Sequence, residues 1–298
     1  MLRGEKMPDY KSHSIHSEMV LPNIKKRTEI SSADLKRFAF GPDSLMITDY
    51  ALFDYQHSHN TRYYFETMIN IIKERKLQDN SKVMAFLYGQ LDHFVLDLVM
   101  HPLIYYMTEK MPSDSVINPH ALIELWIADY VTVKNRRKFQ KYYLKTRLFN
   151  KELSGVINDT YKKIYNRNNM SARYDIGVNT IVEFDKFRSK RTRLKELICS
   201  RFKLGDFLYN RNTGRVSRFL NLSHSSIQNP ITGDEYHESF DDLWRESLTV
   251  ASELIEDVNN YLYLDKPLTN YLITNNISYN TGFPCCDKEE FKYVKRYR

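Results

Sequence analysis

Between Lys82 and Thr108 the chain is predominantly apolar, and three metal-competent side chains interrupt it at intervals of four: His93, Asp97 and His101. A stretch of this length with no cluster of turn-forming residues predicts one long buried helix. A four-residue step along a helix turns about 400°, so these three side chains share one stripe. The segment His120-Ala-Leu-Ile-Glu124 repeats the spacing and places a second imidazole and carboxylate on one face. An Asp and two His on the inner face of an apolar helix are costly to bury without partners, and a cation would satisfy all three. Facing stripes of this kind are how helical bundles build metal centres. Imidazole and carboxylate oxygen are the ligands of zinc, and of other borderline divalent ions, where no thiolate is at hand. A single histidine on an apolar face is more commonly a hydrogen-bonded core residue. What favours a metal is number: seven of the nine histidines (His13, His16, His57, His59, His93, His101 and His120) fall in the first 120 residues.

Nine Gly and nine Pro among 298 residues are few, which favours long helices over turn-rich β structure. The expected fold is an all-α, multi-helix bundle with a multinuclear metal site between helices. Ser12 to Pro22 reads as an early helix carrying His13, and residues 33–48 as a short helix ending in the turn Phe40-Gly41-Pro42-Asp43. Tyr55 to Thr61, with His57 and His59, reads as a loop before an amphipathic helix from Arg62 to Arg75. The central helix is expected from about Lys82 to Thr108, with a kink at Pro102, where the bond to the Leu98 carbonyl is lost. Asn118-Pro119 supplies an N-cap and a first-turn Pro for the helix carrying His120 and Glu124. Asn166 to Ala172 is a polar break. It suggests a metal-binding region over 7–165, a C-terminal helical region over 173–265, and a tail over 266–298 that the pattern does not assign. In the second region a helix is expected from Val178 to Phe202, a loop from Ser223 to Glu238, and a long helix opened by Ser239-Phe240-Asp241-Asp242.

No apolar run approaches the roughly 18 residues that span a membrane, so no transmembrane segment is expected. The start, Met1-Leu-Arg-Gly-Glu-Lys, lacks the apolar core of a signal peptide. Cys199, Cys285 and Cys286 form neither a disulfide framework nor a zinc-ligand spacing. Together these point to a cytoplasmic protein. Charge is uneven: residues 134–203 hold 20 Lys and Arg against 6 Asp and Glu, a net of +14 in a chain of net +7. Such a stretch is commonly a solvated helix face. It also suits an anionic membrane surface, a phosphorylated substrate or nucleic acid.

Asp43, a histidine of the 57–59 loop and His13 add to the five helical donors. Asp97, flanked by two histidines on its own helix, is placed to bridge two ions. Clustered divalent ions suit phosphoryl-ester hydrolysis, because they acidify a bound water and clamp the phosphate oxygens. No P-loop, Rossmann glycine fingerprint or Gly-x-Ser-x-Gly elbow competes with this reading.

Met7-Pro-Asp, Ser12-His13, Phe40-Gly-Pro-Asp43, Tyr88-Gly-Gln-Leu-Asp-His93-Phe-Val-Leu-Asp97, His101-Pro102 and His120-x-x-x-Glu124 together resemble the zinc-dependent phospholipase C family. Asn229-Pro-Ile-Thr-Gly-Asp-Glu and Ser239-Phe-Asp-Asp-Leu extend the resemblance more weakly. It implies an all-helical fold and a cluster of two or three zinc ions. Carried over by position, Asp43, a loop histidine (His57 or His59), His93 and Asp97 hold one ion, and His101, His120 and Glu124 a second. His13 and the bridging Asp97 hold a third, and Asp43 is also the general base for the attacking water. Secreted members complete the third site with their N-terminal Trp; this chain has none there, so the third site is either empty or completed by another group such as His16 or Asp9.

The leading expectation is therefore a zinc-dependent phosphodiesterase of phospholipase C type, acting on a phospholipid or a smaller phosphodiester. Two alternatives stand beside it: a nuclease like the S1/P1 type, for which 22 tyrosines offer base-stacking surfaces, and a non-catalytic helical protein whose metal site is structural.

Overall fold

The computed structural model describes residues 10–24, 28–111, 118–135, 150–189, 192–202, 204–208, 214–217 and 219–285. The basic stretch 136–149, Asp9 and the last residues of the tail lie outside them. The fold is all-helical, as expected. Its helices are α1 (Tyr10–Val20), α2 (Ser32–Phe38), α3 (Tyr50–Ser58), α4 (Thr61–Glu74), α5 (Ser81–Glu109), α6 (Pro119–Lys134), α7 (Lys151–Tyr165), α8 (Met170–Ser189), α9 (Arg193–Arg201), α10 (Gly214–Ser217), α11 (Phe240–Leu264) and α12 (Tyr271–Thr274). Residues 223–238 contain a small hairpin, in which Ile227 pairs with Tyr236 and Gln228 with Glu235.

Helix α5 is the axis of the bundle, packed by α1, α2, α6, α7 and α11. It begins where the Asn80 side chain accepts from the amides of Lys82 and Val83, and it continues through Pro102. By length and composition it could cross a membrane, but it is almost entirely buried inside the protein, as befits a core helix. Two apolar clusters divide it. The N-terminal half (Val83 to Val95) packs with α4, α7, α8 and the second half of α11. The C-terminal half (Leu96 to Met107) packs with α6, the hairpin and the start of α11. His93, Asp97 and His101 lie where one cluster gives way to the other. Both clusters draw on residues from either side of the 166–169 break.

Several elements depart from the sequence pattern. The Asp49 side chain caps a helix at Leu52, so residues 50–58 are helical and His57 sits in the last turn of α3. Asn60, in the left-handed region at φ 58°, turns the chain between α3 and α4. The helix expected over 178–202 starts earlier, at Met170, and is two helices, the second capped by Thr192. The Ser239 capping box is present: its hydroxyl accepts from the Asp242 amide, while Asp242 accepts from the Ser239 amide.

Candidate metal centre

Asp43 reaches the centre on a tight 3-10 turn, Gly41–Leu45. Gly41 has φ +55°, and a Cβ there would lie 2.2 Å from the His93 ring, so only glycine lets the turn and that imidazole pack together. The turn is braced from behind. The Tyr174 hydroxyl donates to the Gly41 carbonyl, and the Gln90 amide donates to the Phe38 carbonyl at 2.9 Å. Helix α8 approaches the same turn so closely that a Cβ on Gly177 would overlap the Ser44 carbonyl.

Three groups of donor atoms converge, each within 4.8 Å: His13, His93 and Asp97; Asp43, His57 and His93; His101, His120 and Glu124. Asp97 divides its oxygens, with Oδ1 3.3 Å from His13 Nε2 and Oδ2 3.0 Å from His93 Nε2 and 3.7 Å from His57 Nε2. Asp43 Oδ1 lies 3.1 Å from His57 Nε2. In the third group Glu124 Oε1 is 3.0 Å from His120 Nε2 and 3.6 Å from His101 Nε2. His13, Asp43, His57, Asp97, His101 and Glu124 line one cavity.

Three of the imidazoles share a wiring that explains their orientation. Nδ1 of His57 donates to the Phe53 carbonyl at 2.7 Å, that of His93 to Ala39 at 3.0 Å, and that of His101 to Tyr279 at 2.8 Å. A carbonyl oxygen only accepts, so the proton is on Nδ1 and a neutral ring presents its Nε2 lone pair to the centre. His93 Nε2 is buried and makes no hydrogen bond. Lone pairs of imidazole and carboxylate thus face one another, and such an arrangement calls for a cation between them. This tautomer, set by a backbone acceptor behind the ring, is the one metal-binding histidines commonly use. The donor set fits zinc.

The electrostatics agree. Burial is the largest single influence on Asp97 and opposes its ionisation. The imidazoles of His93, His101 and His13 together outweigh it and hold the carboxyl well below the usual range. Burial likewise opposes ionisation of Glu124, but His120 and His101 bring it down to about 2. Burial works against a charged His101, yet Asp97, Glu124 and the Tyr279 carbonyl raise its pKa. Carboxylates that stay ionised in a buried site are ready-made cation ligands.

The family model for zinc-dependent phospholipase C matches residues 12–170, more than half of the chain. The chain belongs to the zinc-dependent phospholipase C family. Comparisons with curated proteins and with solved structures return no match.

Of the residues that the family resemblance nominates, the structure brings eight together: His13, Asp43, His57, His93, Asp97, His101, His120 and Glu124. Between the two loop candidates it separates His57 from His59. His59 stacks on Tyr55 with ring centroids 4.4 Å apart, meets the Ser58 hydroxyl, and belongs to none of the three donor groups. His16 does not join the His13 group. It is fully buried between Asp92 (2.7 Å) and Ser247 (2.8 Å), tying α1 to α5 and α11. Asp9 is outside the described residues.

Sequence reasoning missed the supports behind the ligands. The unassigned tail returns to the centre: the Tyr279 amide and the Ser278 hydroxyl both donate to the His57 carbonyl, and the Tyr279 ring packs on His57, His93 and Phe94. A backbone acceptor has no side-chain signature, so only the Tyr-rich composition of the tail offered a hint. The apolar wall of the cavity, Phe53, Leu96, Met100, Ile104, Ile127, Phe240 and Trp244, comes from four helices. Its members read in sequence as ordinary core residues.

Proposed function

We propose that the protein is a zinc-dependent phosphodiester hydrolase of phospholipase C type, which uses water to split a phospholipid between its diacylglycerol oxygen and its phosphorylated headgroup. Membership of the family supports the metal-dependent hydrolase. The observation that carries the substrate class is the cavity, where densely packed carboxylates and imidazoles meet a wall of seven apolar side chains. A molecule with a charged phosphodiester beside hydrocarbon fits both halves. Among the described residues no Lys or Arg lines this cavity, whereas a site that tracks a nucleic acid backbone uses a basic groove.

In this reading His57, His93, Asp43 and Asp97 hold one zinc, His101, His120 and Glu124 a second, and His13 with Asp97 a third. Bound zinc would lower the pKa of water toward neutrality and neutralise charge on the phosphoryl oxygens. Asp43 turns Oδ1 to His57 and leaves Oδ2 to accept the proton of the attacking water. The Nδ1 protons of His57, His93 and His101 stay on their rings, donated throughout to the backbone carbonyls behind them, and hold each Nε2 inward. The apolar wall seats the glycerol end of the substrate and keeps bulk water from it.

The test offers zinc-loaded protein phosphatidylcholine dispersions and, separately, single-stranded DNA over a range of salt. Release of the phosphorylated headgroup with a shallow salt dependence is expected. Cleavage of DNA with a steep salt slope and no lipid turnover would promote the nuclease reading. Full zinc occupancy with no hydrolysis of either would leave a structural metal site.

A further inference from the structure

Helix α9 carries an exposed apolar face. Leu194 is 68 % exposed, Leu197 69 %, Ile198 49 % and Phe202, its C-cap, 64 %. At about 100° per residue these four side chains fall within one arc of roughly 140°. Cys199, on the other side of the helix, is its buried contact with the protein. The charges are arranged about the arc. Arg193 and Lys195 border its two edges, Arg201 projects from within it in the last turn, and Glu196, the acidic residue of the helix, points away from it. Lys195 also ties α9 to α8: its ammonium donates to the Phe187 carbonyl and lies 4.1 Å over the centre of the Phe187 ring, itself 52 % exposed. Over 186–203 the sequence has eight Lys and Arg and one acidic residue.

We propose that α9, with Phe202, is an interfacial anchor that seats the protein on an anionic lipid surface. Large apolar side chains on one face with basic side chains along its margins are the pattern of helices that lie in a membrane interface. Leu194, Leu197, Ile198 and Phe202 enter the acyl boundary, while Arg193 meets phosphate headgroups at one edge and Lys195, tied to Phe187, keeps the other edge positive. The long stem of Arg201 carries its guanidinium back to headgroup level. The rim favours lipid over a protein partner, because its positive charge matches a uniformly anionic surface and the one acidic side chain of α9, Glu196, points away from the face. This proposal draws on the lipid reading only for why such a surface would be met, and its test needs no turnover.

Full-length protein is sedimented with vesicles of phosphatidylcholine alone and of phosphatidylcholine with phosphatidylserine at about three to one. Binding to the mixed vesicles, weakened by salt, is expected. The double variant Leu194→Ser, Leu197→Ser should bind at least about tenfold more weakly, with the same helical circular dichroism and unfolding temperature, since both side chains are exposed. Arg193→Glu with Arg201→Glu should lose the preference for phosphatidylserine. Equal binding by wild type and the double Ser variant, or no binding by either, would overturn the proposal. So would a wild-type dimer that the Ser variant converts to monomer, which would make the face a contact between copies. Vesicle binding by an inactive protein would leave the anchor standing and count only against the hydrolase.

Discussion

Asp97 Oδ2 and His93 Nε2 stand 3.0 Å apart across one turn of α5, and the Nδ1 proton of His93 is already committed to the Ala39 carbonyl. With Asp97 Oδ1 turned to His13, a single carboxylate faces two of the three donor groups. Asp97→Asn keeps the shape but replaces one anionic oxygen by an amide that cannot ligate. Purified wild type should contain two or three zinc ions per chain by elemental analysis, and the variant at least one fewer. Hydrolysis should fall by two orders of magnitude or more, as about 3 kcal/mol of lost transition-state stabilisation implies. Near-normal metal content and turnover in the variant would remove the bridging role.

Chelated and zinc-loaded protein should respond to pH in opposite senses. In the chelated protein Asp97 and Glu124 have folded pKa values below their unfolded ones, so their contribution is present above about pH 4 and is lost as the pH falls through the folded values. His101 is raised, so its contribution is complete below about pH 6.5 and fades as the pH rises through its folded value. The unfolding temperature of the chelated protein should therefore peak between about pH 4 and 6.5. Zinc requires neutral imidazole, so its stabilisation should grow with pH and its affinity decline below about pH 6. Thermal melts across pH with and without chelator read both trends. A chelated protein that gained stability steadily from pH 5 to 8 would contradict the assignment.

Much of this centre is legible in sequence because its ligands obey helical spacing. His93, Asp97 and His101 sit on one helix, His120 and Glu124 on another, and the Asn118 and Ser239 caps announce two helix starts. What is not legible depends on partners distant in the chain. His57 looks like a loop residue until Asp49 caps the helix that carries it. The role of Tyr279 is played by its carbonyl, 178 residues beyond His101, and no side-chain pattern encodes that. The break between α8 and α9 escapes notice because both segments have helix-forming composition, and Thr192 acts as a cap only because its own backbone is extended.

The tail therefore has a measurable part in metal affinity. Gly282, at φ +71°, packs so near the Leu98 carbonyl that an added Cβ would lie 3.2 Å from its oxygen. Gly282→Ala combines that contact with an unfavourable backbone angle, and a destabilisation of about 1 kcal/mol or more is expected. The displaced segment carries the Tyr279 carbonyl, so zinc affinity measured against a competing chelator should fall about 10- to 100-fold. Ser278→Ala, which removes the hydroxyl's bond to the His57 carbonyl and the one it accepts from the Asn280 amide but leaves the backbone in place, should show a smaller loss. Unchanged affinity in the folded Gly282→Ala protein would mean that the tail merely covers the site.

Arg188 separates the stability of the bundle from the integrity of the centre. Its guanidinium is 1 % exposed and forms a two-pronged ion pair with Asp129, joining α8 to α6. Asp185 lies beside it and pairs with Lys11 of α1. Burial, against the pull of Asp185, lowers the Lys11 ammonium to about 8, so this lysine is a reluctant cation and a poor substitute for a missing guanidinium. Arg188→Ala leaves Asp129 buried beside a cavity, and about 3–5 kcal/mol of stability should be lost. Arg188→Met fills the space but still deprives Asp129 of the guanidinium, so it should recover only the packing part. None of these side chains lines the metal cavity. Urea unfolding of the zinc-loaded protein should therefore shift strongly to lower denaturant, while metal content in the absence of urea stays at the wild-type value. A drop in zinc content in a variant still folded by circular dichroism would show that this ion pair also positions the helices that hold His13 and His120.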